Sequence, residues 1–416
     1  MEWILIGYMW LYIHRPFEIW PALGDMRVEF FYALGAILAV AIYPGKRWIP
    51  NMQQVAFFLF WIAVAVCWAN SPWADYAQEF VETYFKMVVF FLLFMLVIRD
   101  ERSLRRFLLA FLVIVFGYML HSLREYLGGR HTFRMGIPRM IGVDKSLGDP
   151  NSFGASIVYA LPLVVPFWLD RPSKWVKLFL IAFVGLSLVC IGLTGSRSSF
   201  VGLVLCCLCV VLRSRKRWSL LTAAAVAAPM LWFALPESMQ TRFETIINPQ
   251  AGPANAQASA LDRIEGFKIG LKLYEQNPIA GIGPHAWKPA TKRELESHNL
   301  VGELLGEMGT LGGVTFLGIV ICYAVNWARV RRMYRAHPEW GKDFLFNVND
   351  AIALGVFLLL FEGNFGHNLF RYNWLWYGGF HMITAYCVQQ RLKISSLAPQ
   401  PAPVPAYSSG LGYAGA

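Results

Sequence analysis

Charge is what this chain has least of. Lys and Arg number 37 and Asp and Glu 26, so charged residues make up 15% of 416 positions. A soluble domain carries roughly 25%, and the shortfall excludes an ordinary water-facing fold. Cysteine is scarce as well. Cys67, Cys190, Cys206, Cys207, Cys209, Cys322 and Cys387 all fall inside apolar runs. None has a histidine at metal-ligand spacing, so neither a metal site nor a disulfide framework is expected. The start, Met1-Glu2-Trp3-Ile4, lacks the basic stretch and small-residue cleavage site of a removable signal peptide. It reads as a short first span or anchor. No internal repeat is visible. The formal net charge of +11 is not gathered into one patch, which argues against a nucleic-acid partner. Basic residues sit in short clusters between apolar runs, as in Arg213/Arg215/Lys216/Arg217.

Apolar residues fill the gap, at 56%, with 31 Phe, 17 Tyr and 16 Trp. Runs of spanning or near-spanning length occur at about 2–13, 29–44, 54–69, 84–98, 106–122, 152–169, 175–193, 198–212, 218–235, 299–325, 350–363 and 372–388. They predict an all-α polytopic membrane protein of about 12 transmembrane helices. The loops alternate in charge. Those holding Lys46/Arg47, Arg99–Arg106, Arg171/Lys174/Lys177, Arg213–Arg217 and Arg329–Arg335 are short and basic, and by the positive-inside rule face the cytoplasm. The loop 70–83 has acids and no Lys or Arg, so it faces out. Both termini are then cytoplasmic. The organisation expected is spans 1–9 over 1–235, a large external helical loop over 236–297, spans 10–12 over 298–390, and a disordered cytoplasmic tail over 391–416. The external segments 123–149 and 236–297 are basic despite their side, and an anionic ligand there would explain it.

The ionisable groups that enter spans are the site candidates, because burying them in lipid is costly. His298 opens the tenth span, which carries Glu303 and Glu307 and glycines at 302, 306 and 309. At a helix start the dipole favours neutral imidazole, the form a general base needs. A structural histidine at the membrane interface is the plainer alternative. Glu307 lies roughly 13 Å deeper at 1.5 Å per residue, so a buried cation or a neighbouring helix is its expected partner. The glycines read as sites of close packing. The turn Thr194-Gly195-Ser196-Arg197-Ser198 pins Arg197 at a helix start, where its fork and free N–H groups suit phosphate. Snorkelling towards lipid headgroups is the other reading. In the external loop, Ser259 caps a helix with an apolar stripe of Leu261, Ile264, Phe267, Leu271 and Tyr274. Asn277-Pro278 ends it, and Gly281-Ile282-Gly283-Pro284 turns the chain back. The helix is expected to lie over the spans as a lid, with Arg263 in its first turn, either ion-paired to Asp262 or facing a ligand. Two weaker groups complete the set. One is Asp149-Pro150-Asn151 at the sixth span, after Arg139 and Lys145. The other is the last external hairpin with Glu362, Asn364, His367, Asn368 and Arg371.

Taken in order, these residues resemble the bacterial O-antigen ligase and Wzy-type polymerase superfamily of membrane glycosyltransferases. His298-Asn299 with Gly309 and Gly312 is similar to its histidine–glycine signature. The Arg197 turn, the Asp149-Pro150-Asn151 helix start and the Arg263 helix ending in Asn277-Pro278 follow the family's order, over roughly 140–325. The resemblance implies inverting, metal-independent transfer of a glycan from undecaprenyl pyrophosphate on the outer face of the bacterial cytoplasmic membrane. The acceptor would be a hydroxyl of lipid A core, another glycan or a protein. It implies Arg197 and Arg263 on the pyrophosphate, His298 as base, and support from Arg139, Lys145, Asn151, Glu307 and Arg371. No cofactor or metal is implied, and the missing Asp-x-Asp motif fits a lipid-linked donor. A polysaccharide polymerase would use the same residues on a different acceptor. A transporter or lipid flippase of twelve spans would need polar groups near the midplane and repeats. Here the ionisable residues crowd one set of helix ends instead.

Overall fold

The computed structural model describes residues 1–134, 137–144, 147–214, 216–234, 237–244, 255–293 and 296–397. Among these the chain forms eighteen α-helices and one small hairpin. Helix α1 (Glu2–His14) leads through α2 (Pro16–Ile19) and α3 (Pro21–Asp25) to α4 (Val28–Ile42), α5 (Met52–Ala69), α6 (Ala74–Val97) and α7 (Glu101–Leu127). Strands β1 (Thr132–Arg134) and β2 (Ile137–Arg139) pair antiparallel, Thr132 opposite Arg139. Helix α8 (Pro150–Ala160) passes through a tight turn at Pro162 into α9 (Val164–Leu169), followed by α10 (Lys174–Thr194), α11 (Arg197–Arg213) and α12 (Arg217–Ala234). Then come α13 (Glu237–Glu244), α14 (Asn255–Gln276), α15 (Trp287–Thr291), α16 (Leu300–Ala336), α17 (Phe344–Glu362) and α18 (Tyr372–Leu397).

Every one of the twelve apolar runs falls on a helix. Among the described residues, seven segments are long and apolar enough to cross a membrane by themselves: Met52–Ala69, Ala74–Val97, Glu101–Leu127, Pro150–Leu169, Lys174–Thr194, Leu300–Ala336 and Phe344–Glu362. The helices outrun the apolar stretches that announced them. Most of 70–83, read as a loop, is the opening of α6. Ala, Gln and Glu are good helix formers, and Asp75 in the first turn complements the dipole. Likewise α16 continues to Ala336 and α18 to Leu397. The Pro- and Ser-rich segment 398–416 lies outside the described residues.

The interior is aromatic. Trp376 and Phe380 of α18 pack on Phe90, Phe94, Phe107 and Phe111 of α6 and α7, with ring centroids 5.2–6.2 Å apart. Ring faces and edges supply the dispersion contacts that hold helices together where lipid removes the hydrophobic drive. The two ends of the bundle differ. At one, basic residues meet acids: Arg105 with Asp170 and Glu101, Arg391 with Asp343 and Glu101, Arg213 with Asp350. At the other, the ends of α1, α5, α7, α10 and α17 meet the starts of α6, α8, α11, α16 and α18. There the Ser71 hydroxyl donates to the Ile282 carbonyl at 2.6 Å, and the Leu300 N–H donates to Gly363 at 2.6 Å.

Candidate functional site

Arg139 holds one side of this second end. It is 1% exposed, its Nε donating to the Thr194 carbonyl at 2.6 Å and Nη2 to Asn151 Oδ1 at 2.9 Å. A buried guanidinium is tolerated only with such partners. Its fork ties the end of α10 to the first turn of α8, whose N-cap Asp149 accepts from the Ser152 N–H. Between them Gly195 (φ 56) reverses the chain, Ser196 caps α11, and Arg197 is the first helical residue. Arg139 and Asn151 therefore build the Arg197 turn. Lys145 lies outside the described residues.

The second side comes from α14, which begins at Asn255, so Ser259 sits within it and is not its cap. Arg263 accordingly stands in the third turn, beyond the reach of the dipole argument. The alanines around Ser259 extend the helix backwards. Its packing face is only partly the apolar stripe: Ile264 is 55% exposed, Phe267 and Tyr274 meet α16, and Gly266 and Gly270 are buried. Those two glycines lie on Gly302 and Gly306 of α16. A methyl on Gly306 would stand 3.2 Å from Cα of Gly270, and one on Gly302 3.0 Å from Cα of Phe267. Backbone-to-backbone approach gains more dispersion than side chains held further apart. The lid is thus seated on the start of the tenth run. It carries Arg263 over the Phe365 ring at 5.1 Å, within electrostatic reach of Arg197 and Glu362. Asp262 has only a minor influence on it.

Gly309 shapes the third side. Its backbone (φ 59, ψ −157) breaks α16 two and a half turns in. The returning segment after Asn277-Pro278 takes up the interrupted hydrogen bonds. Ile282 and Gly283 donate to the carbonyls of Gly306 and Glu307 at 3.0 and 2.9 Å, and Thr310 and Leu311 donate to Pro278 and Ile279 at 2.8 and 3.0 Å. Irregular backbone is tolerated at membrane depth only when satisfied in this way. Gly309 is thus a break, while Gly302 and Gly306 are packing positions. The Glu307 carboxylate accepts the N–H groups of His285 (2.8 Å) and Trp287 (3.2 Å), opening α15. Backbone donors therefore take the place of the expected cation or neighbouring helix.

Asn299, not His298, caps α16, its side chain accepting from the Gly302 N–H. His298 precedes the cap in a left-handed conformation (φ 48) that turns its ring onto His367, with centroids 4.3 Å apart. Nδ1 of His367 lies 3.1 Å from Glu296 Oε2, at ion-pair distance but not aligned as a hydrogen bond. Glu296 in turn pairs with Lys288 at 3.2 Å. His367, Arg371 and Ser152 border two adjoining spaces. One is a cavity of about 390 Å³ reaching to Lys288, Glu296, Glu303 and Glu307. The other is a small cleft reaching to Asn151, Ser198 and Glu362. Thus Arg263 and the Arg197 turn come to the small cleft, and His367, with His298 packed on it, borders both that cleft and the cavity. His285, Lys288, Glu296, Tyr12 and Arg15 were missed from sequence. For His285, Lys288 and Glu296 the signal was their place between the glycine turn and His298; α1 offered none.

Burial pushes the His367 imidazole down to about 4; Glu296 opposes this, while His298 and Arg371 add to it. Burial also lowers His285, against the pull of Glu296. Burial would raise Glu296, but His367 and Lys288 outweigh it and hold it low. A histidine depressed in the fold binds fewer protons than when unfolded, so stability rises with pH across that interval. The melting temperature in detergent is expected to fall as pH drops from about 6.5 towards 4. His367→Gln should flatten that slope, and an unchanged slope would show that the His367 environment is not the cause.

A bundle of helices suited to a bilayer, with cations, histidines and carboxylates gathered at one end, defines a multi-pass membrane protein with a polar site at its helix ends. Residues 181–317 match the family model described as O-antigen ligase. The match runs from α10 into α16, includes Arg197, Arg263, His298, Gly309 and Gly312, and over that segment supports the resemblance to the O-antigen ligase and Wzy-type superfamily. No curated protein matches the chain.

Proposed function

We propose that the protein transfers a glycan from undecaprenyl pyrophosphate to an acceptor hydroxyl at the outer face of the bacterial cytoplasmic membrane. The carrying observation is that Arg263, over the Phe365 ring, and Arg197, next in the chain to Ser198, come from helices far apart in sequence to the one cleft that Phe365, Ser198, Asn151 and Arg371 line. Two guanidinium forks at one cleft suit an anion with several oxygens, and a pyrophosphate is such an anion. Both guanidiniums would neutralise charge on the departing pyrophosphate, as preorganised cations do at a developing charge. His298, packed on His367 at the border of that cleft, takes the proton of the attacking hydroxyl. Its contact with His367, backed by Glu296, gives that proton a route away from the site. Arg139 and Asn151 support the reading by fixing the Arg197 turn, and Arg371 by bordering both spaces. Short basic loops at the opposite end of the bundle support an outward-facing site with both termini inside.

The test is transfer by purified protein, with a glycan on undecaprenyl pyrophosphate as donor and EDTA present. Wild type should turn over, and Arg197→Ala and Arg263→Ala should each lose at least about tenfold, one charge-assisted contact's worth. Full activity in both variants would remove the arginines from the mechanism. No turnover of any lipid-linked donor would revive transport as the function. Chains left unattached to acceptor in cells lacking the protein would mark a ligase, and single unpolymerised repeats a polymerase.

A further inference from the structure

We infer that the cavity beside His367 is a saccharide pocket that takes an uncharged sugar ring; this rests on the glycosyl-transfer function proposed above. Four observations carry it. The cavity, about 390 Å³, is at the small end of ligand pockets, roughly 300–1,000 Å³, and too short for a polyprenyl chain. Aromatic side chains line it, among them Phe80, Trp287 and Tyr372, and such rings pack against the C–H face of a sugar. Glu303 contributes a carboxylate that is 9% exposed, with Oε2 lacking any hydrogen-bond partner. A buried acceptor left unmade is costly, and sugar hydroxyls are donors of the right kind.

The fourth observation is the balance of charge. Three acids (Glu296, Glu303, Glu307) and three bases (Arg15, Lys288, Arg371) are among the described lining residues, so neither sign is in formal excess. Most are already engaged. Glu296 pairs with Lys288, Arg15 with Glu18 at 2.8 Å, and Glu307 with two backbone N–H groups. Glu303 remains, on the same lining as Arg371, whose Nε donates to the His367 carbonyl at 3.4 Å. A lipid tail would leave Glu303 unsatisfied; a polyol would not. A sugar held there has its hydroxyls against His367, one ring from His298.

The sugar has two sources, the acceptor's terminal residue or the donor's first residue. Full-length protein in detergent, probed by saturation-transfer NMR with a panel of neutral mono- and disaccharides, tests the pocket. Glucosamine and glucuronate serve as charged comparators. The expected result is binding of a neutral probe that Glu303→Gln, isosteric and folded by its melting curve, weakens about tenfold, one charged hydrogen bond's worth. Phe80→Leu should weaken it too, giving a second reading should Glu303→Gln fold poorly. Displacement of the probe by glycan-bearing donor assigns the pocket to the donor sugar, and displacement by acceptor assigns it to the acceptor; either supports it. Preference for a charged comparator, or equal binding in both variants, overturns the pocket. So does absence of saccharide binding while bare undecaprenyl pyrophosphate still binds, which leaves the transfer function standing. Loss of lipid pyrophosphate binding in wild type would instead bring down the function itself.

Discussion

Replacing His298 by alanine is expected to lower glycan transfer by about 10²–10⁴-fold, the range that loss of a general base produces, with the protein still folded. The helix does not need this ring, because the cap of α16 is Asn299. The backbone at His298 has φ 48, where alanine costs about 1–2 kcal/mol. His298→Asn is therefore the companion variant, since asparagine adopts that conformation readily and offers no base near neutral pH. Both should lose turnover while keeping affinity for undecaprenyl pyrophosphate. Full turnover in either would sink the assignment. Retained turnover in both, together with loss in His367→Gln, would move the base to His367. That ring lies 4.3 Å from His298 and borders the cavity.

The second large effect is on folding. Gly309→Ala should destabilise the protein by ~3 kcal/mol from the backbone alone, because the φ and ψ at Gly309 suit only glycine. Steric contact adds to this. A Cβ there would stand 2.5 Å from the Ile279 carbonyl oxygen and 2.7 Å from the Gly281 nitrogen. Easing that clash pushes away the segment whose N–H and C=O groups complete the broken helix. The His285 and Trp287 donors to Glu307 would be lost with it. Gly318→Ala in the same helix is the control, since its Cβ would meet nothing within 4 Å. It should be neutral or stabilising by up to ~1 kcal/mol through helix propensity. Equal melting temperatures for the two variants would show that the break carries no structural weight.

Much of the site was legible because its residues sit where a membrane helix is costly to start. Arg197, Asn151 and His298 were visible as polar groups at the mouths of apolar runs. Arg263 was harder to place. Its helix was expected to start near Ser259 and to pack by its apolar stripe, whereas it starts at Asn255 and packs by Gly266 and Gly270 as well as by Phe267 and Tyr274 of the stripe. Apolar periodicity reports where large side chains prefer to be, and it is blind to an interface made of main chain. The role of Arg139 was similarly hidden. An arginine in a basic external segment looks like a ligand for an anion until its two acceptors, the Thr194 carbonyl and Asn151, are known. Glu307 looked like half of an ion pair for the same reason.

The sequence by itself determined that the chain is helical, the order of its apolar helices and which end of each carries polar groups. An apolar run long enough to cross lipid leaves the backbone no partner but itself, so it must be helical. Residues such as Asp149, Ser196 and Asn299, whose side chains satisfy free N–H groups, mark local starts. Only the tertiary structure decided which ends face one another: Arg197 with Arg263, His298 with His367, Lys288 with Glu296, and Glu303 on the cavity wall. Those meetings depend on how closely two backbones approach and where a helix breaks. Both are set by the absence of side chains at Gly266, Gly270, Gly302, Gly306 and Gly309, and by the partners each glycine meets from distant parts of the chain.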